Sequence, residues 1–186
     1  DWVHNPGVYA VLVSAEENGK ALAGSRVHIA DGIIPLPVET AVGDMDNRIY
    51  DMVAERVANG TGELCGVWNS WEIAGLGIGS WVLSQITVAL SSLIGLQSLF
   101  GLTAPATYRN AVRGGFRVVK EIGINGKFYY PKEDLTATVV LNDELDTLPT
   151  ATQESHDFVM ALRKDPKQIV TLPNKTNDGF IDMHID

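Results

Sequence analysis

The stretch Gly62-Glu-Leu-Cys-Gly-Val-Trp-Asn-Ser-Trp-Glu-Ile-Ala-Gly-Leu-Gly-Ile-Gly-Ser80 organises the reading of this chain. It opens as a buried strand and passes a short turn. It then runs through a loop with glycine at every second position, Gly75, Gly77 and Gly79, and enters a long helix. A loop of that kind gathers main-chain N–H groups at the positive end of a helix, where they hold an anion. Glycine suits such positions because a Cβ keeps a ligand away from the main chain. The expectation is a phosphate-bearing ligand cradled by Gly75, Leu76, Gly77, Ile78, Gly79 and Ser80.

Outward from this stretch, the periodicity divides the chain. Strands are expected at 8–13 and 21–29, joined as a hairpin by the turn Glu16-Glu-Asn-Gly19. Residues 31–37 read as a loop, and 44–58 as a helix with Met45, Ile49, Met52, Val53 and Val57 on one face. Asp44 and Asp46 suit its start, and Asn59-Gly60 its end. A strand at 63–69 leads through the glycine loop to a helix at 79–94, a strand at 98–102 and a helix at 105–113 stopped by Gly114-Gly115. Strands at 116–122 and 135–141 flank Asn125-Gly126 and Tyr129-Tyr-Pro131, and a helix at 152–163 precedes a polar, loosely held tail. The order implies one α/β domain, a single mixed and mostly antiparallel twisted sheet flanked by helices. Residues 1–150 carry that domain, and the helix and tail of 151–186 pack on it. The chain opens directly on a strand, so either the fold begins there or leading helices are missing from it.

Bulk properties narrow the function. A net charge of −9 over 186 residues argues against nucleic acid as the main partner. Cys65 is the single cysteine, which rules out an intrachain disulfide and fits a reducing, cytoplasmic setting. His4, His28, His156 and His184 show no ligand spacing, so no metal site is expected. No charge occurs between Glu72 and Arg109, a run long enough to raise a membrane span. Gly95 and Pro105 break it, and Ser80, Ser84, Thr87 and Ser91 form a polar stripe along one helical face. A buried helix followed by a strand is therefore expected in place of a span.

The run from Leu64 to Leu83 resembles the acyl-CoA-binding motif of the GNAT N-acyltransferases. The family pattern is Gln/Arg-x-x-Gly-x-Gly/Ala, and here it reads Ala74-Gly-Leu-Gly77-Ile-Gly79. Both glycines are kept and the side chain of the first position is lost. Ala104 to Phe116 resembles the family's short helix ending in Gly-Phe, with Ala111 where a tyrosine general acid often stands. Tyr108 is the candidate to take that role. A narrower resemblance is to autoinducer (acyl-homoserine lactone) synthases and N-acyl amino acid synthases. Gly24-Ser-Arg26 matches their Gly-x-Arg, and Glu63-Leu-Cys-Gly66 keeps the glutamate of their Glu-x-Ser-Arg but not the arginine. In that branch two further helices precede the hairpin.

The resemblance implies a GNAT-like fold in which the strand end Trp68-Asn69-Ser70 splays from its neighbour and pairs with the pantetheine arm of acetyl-CoA or acyl-CoA. A backbone N–H near Val67 or Trp68 would then face the carbonyl oxygen. The implied activity is transfer of an acetyl or longer acyl group to a primary amine of a small, amino-acid-like acceptor, by direct attack in a ternary complex. Glu63 is the candidate base; the other reading has it merely topping a strand at the surface. Arg26 is the candidate for an acceptor carboxylate, with His28 beside it on the same strand face and Tyr130 in the acceptor pocket. Each has a plainer alternative: a surface ion pair for Arg26 and a packed aromatic turn for Tyr130. Cys65 reads as core more readily than as a nucleophile. Arg109, Arg113, Arg117 and Lys120 form a basic cluster, either for the nucleotide or carrier protein or simply solvated. Coenzyme A is preferred over an acyl carrier protein as donor, and a homodimer is left open. The competing reading is a non-catalytic acyl-CoA-binding or protein-interaction module on the same fold, since Ala74, Gly66 and Ala111 all stand where active relatives carry functional side chains.

Overall fold

A computed structural model describes residues 2–76, 78–174 and 176–186. After a 3-10 turn at Trp2–His4, strands β1 (Val8–Ser14) and β2 (Ala21–Ile29) form the expected antiparallel hairpin, with Val8 opposite His28 and Val13 opposite Ala23. Two helices follow, α1 (Pro37–Val42) and α2 (Arg48–Val57), then β3 (Thr61–Asn69), a 3-10 turn at Trp71–Ile73 and α3 (Ser80–Leu93). The second half comprises β4 (Ser98–Thr103), α4 (Pro105–Arg113), β5 (Arg117–Val118), β6 (Lys127–Tyr129), β7 (Thr136–Asn142), α5 (Gln153–Lys164), β8 (Gln168–Pro173) and β9 (Phe180–Ile185).

The main sheet runs in the order β1-β2-β3-β4-β7-β5, with β6 also on β7. Its β3–β4 pair is parallel and its other pairs are antiparallel. Alternation along the strands splits the core in two. Ala23, Val27, Leu99 and Val140 join Val82, Leu83 and Ile86 of α3 on one face. Phe100, Val139 and Leu141 join Val38, Val42, Ile49 and Val53 of α1 and α2 on the other. The serine stripe of α3 does not face water. Ser84, Thr87 and Ser91 return their hydroxyls to the carbonyls of Ser80, Leu83 and Thr87, which lets the helix bury them. Because Thr87 spends its hydrogen on Leu83, the buried hydroxyl of Ser25 donates to Thr87 and ties β2 to α3. Among the described residues no helix is long and apolar enough to cross a membrane.

Four expectations need correction. Residues 31–37 are not loop to their end: Pro37 starts a six-residue helix, its fixed φ serving the first turn. The next helix begins at Arg48, because Asp46 is engaged outside it, with the Arg48 guanidinium at 2.6 Å and the Gly123 N–H at 2.8 Å. The apolar run 116–122 supplies buried Val119 and Ile122 to the core but pairs only at Arg117–Val118. The tail is not loosely held. β8 and β9 pair from Gln168–Ile185 to Pro173–Phe180, and Leu172 and Met183 enter the core beside α3.

Candidate active site

β3 is paired with β4 only through Thr61–Leu64, opposite Ser98–Gly101. Beyond that point β3 continues to Asn69 beside β2, while Leu102 and Thr103 of β4 continue beside β7. The two strands part in the middle of the sheet, leaving main-chain edges on either side of a gap. At the same point β3 carries a bulge: Arg26 opposes Cys65, yet Gly24 opposes Trp68. Gly66 sits there at φ +59, a left-handed backbone that glycine adopts without a Cβ penalty. A Cβ on Gly66 would also meet the Arg26 guanidinium at 3.2 Å. The bulge interrupts the alternation of faces that a regular strand keeps. Leu64 and Val67, three apart, both pack toward α3, so Val67 does not share a face with Glu63 and Cys65.

The opposite face holds the polar residues. Arg26 stands across from Cys65, and His28 across from Glu63, giving a rectangle of four side chains on β2 and β3. Trp2 covers one side, its ring 4.3 Å from the Arg26 guanidinium carbon and 6.5 Å from the His28 ring. Glu63 does not top a strand at the surface; it is 2% exposed. One of its oxygens accepts the Val38 N–H at 2.6 Å. Burial pushes its carboxyl up to about 8, with the Val38 amide and Arg26 opposing the rise and nearby Glu39 adding to it. Glu39 on α1, a residue that sequence reasoning missed, is 7% exposed, accepts the Leu36 N–H at 2.6 Å and is likewise raised by burial. Pro37 followed two residues later by Glu39 is a helix-start signal that was available. His28 is 9% exposed, and burial followed by Arg26 holds it below its usual range, hence neutral. Among the described residues, two buried nitrogens here have no partner, Nε2 of His28 and Nε of Arg26. A buried donor or acceptor left unpaired costs about 1–3 kcal/mol, which makes the two nitrogens candidates to receive a polar group. Cys65 is pushed up to about 11 by burial and then by Glu63, which keeps it a thiol.

The glycine loop lies past the far end of β3. Trp68 and Asn69 are exposed, and the Trp68 indole lies over Gly24, where a Cβ would meet its nitrogen at 3.0 Å. The Ser70 N–H is taken by the Leu22 carbonyl at 2.7 Å, and the Ser70 hydroxyl accepts the Glu72 N–H at 3.1 Å. Gly75 adopts φ +85 and is approached by Thr176 of the β8–β9 turn, 2.8 Å from a would-be Cβ; its glycine serves chain packing. Gly77 lies outside the described residues. Gly79 is different: it caps α3 in an extended conformation, with open space where a Cβ would stand. The first N–H groups of α3 have no acceptor within their own helix. The Ser80 hydroxyl accepts from the Asn110 side chain at 2.6 Å, which ties the start of α3 to α4. Leu76 and Ile78 line a cavity of about 860 Å³ with Val11, Ile86, Leu90 and Met183, on the α3 face and away from Glu63.

Tyr108 is exposed on α4, a helix that contacts α3, β4 and β7. Tyr130 borders a second cavity of about 400 Å³ with Leu102, Ala104, Pro105 and Leu135, at the outer end of β4. Two of the four basic residues are ion-paired: Arg113 pairs with Glu154 and stacks on Trp81, and Arg117 pairs with Asp143. Among the described residues no group of three or more His, Cys, Asp or Glu is placed to hold a metal ion.

Comparison of the sequence with family profiles and with curated proteins gives no match. Solved structures do resemble the fold. FeeM, an N-acyl amino acid synthase from uncultured soil microbes, superposes with a TM-score of 0.59 at 11% identity, over 81% of this chain and 80% of that one. MesI, a CoA-dependent acyl-homoserine lactone synthase, gives 0.54 at 13% identity over 88% and 72%. BjaI, a further CoA-dependent acyl-homoserine lactone synthase, solved with SAM and isopentyl-CoA, gives 0.50 at 11% identity over 89% and 69%. These likenesses establish that the chain shares its fold with these synthases.

Proposed function

We propose that this protein is a coenzyme A-dependent N-acyltransferase, moving an acetyl or longer acyl group to the amine of a small acceptor. The observation that carries the reading is the conjunction at β3. A buried, weakly acidic Glu63 stands where the strand parts from β4, and the same strand leads to the open start of α3. The parted edges offer unpaired main-chain groups to the amide-rich arm of an acyl-CoA, and the amides at Gly79–Ser80 suit its diphosphate. The relatives in fold add support, since MesI and BjaI are named as CoA-dependent and FeeM as an N-acyl amino acid synthase.

Acyl transfer needs a neutral amine. The reaction forms an N–C bond, breaks the thioester C–S bond and releases one proton from nitrogen and a thiolate that takes one up. Glu63 is the proton acceptor in this proposal, directly or through one water. Main-chain amides near Val67 and Trp68 stabilise charge on the carbonyl oxygen, and Tyr108 is the proton donor to the leaving thiolate. Arg26 and His28 meet the acceptor, Arg26 through the carboxylate of an amino-acid-like amine. Tyr130 borders the acceptor side. The deciding experiment pairs thermal-shift titration with coenzyme A, acetyl-CoA and longer acyl-CoAs with mass-spectrometric detection of amides from a mixture of amines. Stabilisation with amide formation is expected. Stabilisation without product leaves a non-catalytic binding module, and neither response overturns the reading.

A further inference from the structure

The cavity of about 860 Å³ on the α3 face takes no part in the proposed chemistry. Consecutive residues border it on two sides: 9–17 from β1 and the turn after it, and 181–186 from β9 and the residue beyond. A strand that turns one face to a cavity contributes every second residue. One that contributes every residue lies with its edge along the cavity. Among the described residues β1, the outermost strand of the main sheet, pairs only with β2, and β9 pairs only with β8. The cavity is thus a slot between two strand edges whose outward main-chain groups are not used in a ladder. Its floor is one apolar face of α3, with Ile86, Ala89, Leu90 and Leu93 at helical spacing. Floor and wall are open, Leu93 being 50% and Leu12 65% exposed. Val8–Ser14 contains no charged residue and no proline, the usual guards of a bare edge.

We propose that this slot is a docking site for an extended, basic segment of a partner protein, which enters as an added strand between β1 and β9. A strand in a packed sheet occupies about 4.8 Å by 10 Å in section and 3.3 Å along its length, so the slot holds about five residues. Main-chain pairing supplies the grip, and alternate side chains of the segment fall on α3. Val11 and Val13 of β1 and Met183 of β9 already pack to that side. Charge selects the occupant. Glu16, Glu17, Asp182 and Asp186 line the slot, and among the described residues no lysine or arginine joins them. Lys20, just past the turn, is paired with Glu72 at 3.1 Å. A second copy of this chain fits less well, because its β1, β8 and β9 contain no lysine or arginine to meet those carboxylates. The slot lies away from Glu63, so the inference goes beyond acyl transfer and does not depend on it.

The test uses the full chain and three end-blocked nonapeptides of alternating valine and threonine. One has lysine at both ends, one has glutamate there, and one has the lysines with alternate main-chain nitrogens methylated. Affinity is read by fluorescence anisotropy and edge pairing by amide hydrogen exchange. The lysine peptide should bind and slow exchange in both Val8–Ser14 and Phe180–Ile185. It should bind about tenfold or more tightly than the glutamate peptide, by a margin that narrows with added salt. Methylation should weaken it at least as much, since the lost N–H groups serve one of the two edges. In the double variant Glu16→Gln, Glu17→Gln, both at exposed positions, the preference for lysine should shrink at an unchanged thermal midpoint. No binding, equal affinity for the lysine and glutamate peptides, or protection of one edge alone overturns the proposal. An unliganded protein that sediments as a dimer with both edges already protected overturns it too, because a second copy then fills the slot. Each readout is independent of amide formation, so loss of the acyltransferase reading and loss of this one are told apart.

Discussion

His28 stands directly opposite Glu63 across the β2–β3 ladder, and its buried Nε2 has no partner among the described residues. Neighbouring side chains at such positions have Cβ atoms about 4.5–5.5 Å apart, near enough for one small group to touch both. A neutral imidazole and a carboxyl that is mostly protonated at neutral pH face each other across that space.

Activity should therefore rise with pH. A base must be ionised to work, and Glu63 ionises near 8, so kcat/KM is expected to climb through that value. Glu63→Gln should remove that limb and lower kcat by roughly 10²–10⁴-fold, with coenzyme A affinity unchanged. A pH–rate profile that keeps its limb in the variant would exclude Glu63 as the base.

Stability should run the other way. The folded-state carboxyl of Glu63 is raised above its ordinary value of 4.5 to about 8, so the folded form binds more protons between those two values. Its contribution is full below about 4.5 and is lost as pH rises through about 8. Thermal midpoints measured across this range should fall less in Glu63→Gln than in the unaltered protein. Parallel declines would show that Glu63 is ionised without penalty.

Gly79→Val separates folding from binding. The backbone there is extended and no atom stands near the missing Cβ, so the loss of stability should stay within about 1 kcal/mol. The added side chain occupies the open start of α3, and the thermal shift given by coenzyme A should disappear. Undiminished affinity would place the diphosphate elsewhere.

Gly66→Ala tests the bulge. A left-handed conformation costs a residue with a Cβ about 1–2 kcal/mol, and here the Cβ also presses on Arg26. Urea unfolding should show at least that loss, and a change under about 0.5 kcal/mol would mean that β3 runs on without its bulge.

Leu172→Ala tests the terminal hairpin. Leu172 is 5% exposed in the core beside α3, and truncation of a buried leucine costs about 2–5 kcal/mol. A negligible cost in calorimetry would show the hairpin undocked.

The order of the central elements was legible because each carries a long pattern. The β-rich runs of the first hairpin, the apolar face of α3, and Pro105 with Gly114-Gly115 around α4 all coincide with the observed boundaries to within a residue or two. What sequence could not show was short or three-dimensional. α1 has six residues, too few for periodicity, and its Glu39 looks like any surface acid until β3 comes alongside. The terminal strands were hidden by polar residues, although Ile181, Met183 and Ile185 alternate as a half-buried strand should. Glycine spacing suggested three equivalent loop positions. Space around the chain distinguishes two of them: Gly75 is crowded by Thr176, and Gly79 is open. The burial of Glu63 depends on α1, whose Glu39 lies 24 residues upstream of it, so no local window reveals it.

The kink at Gly66 divides one strand into two independent surfaces. Before it, β3 presents Glu63 and Cys65 away from α3; after it, Val67 turns toward that helix. On the proposed function, side chains upstream of Gly66 select the nucleophile, and those downstream shape the berth of the acyl tail. Substitutions in either segment can then drift without disturbing the other, which gives a single stretch of backbone two separately tunable specificities.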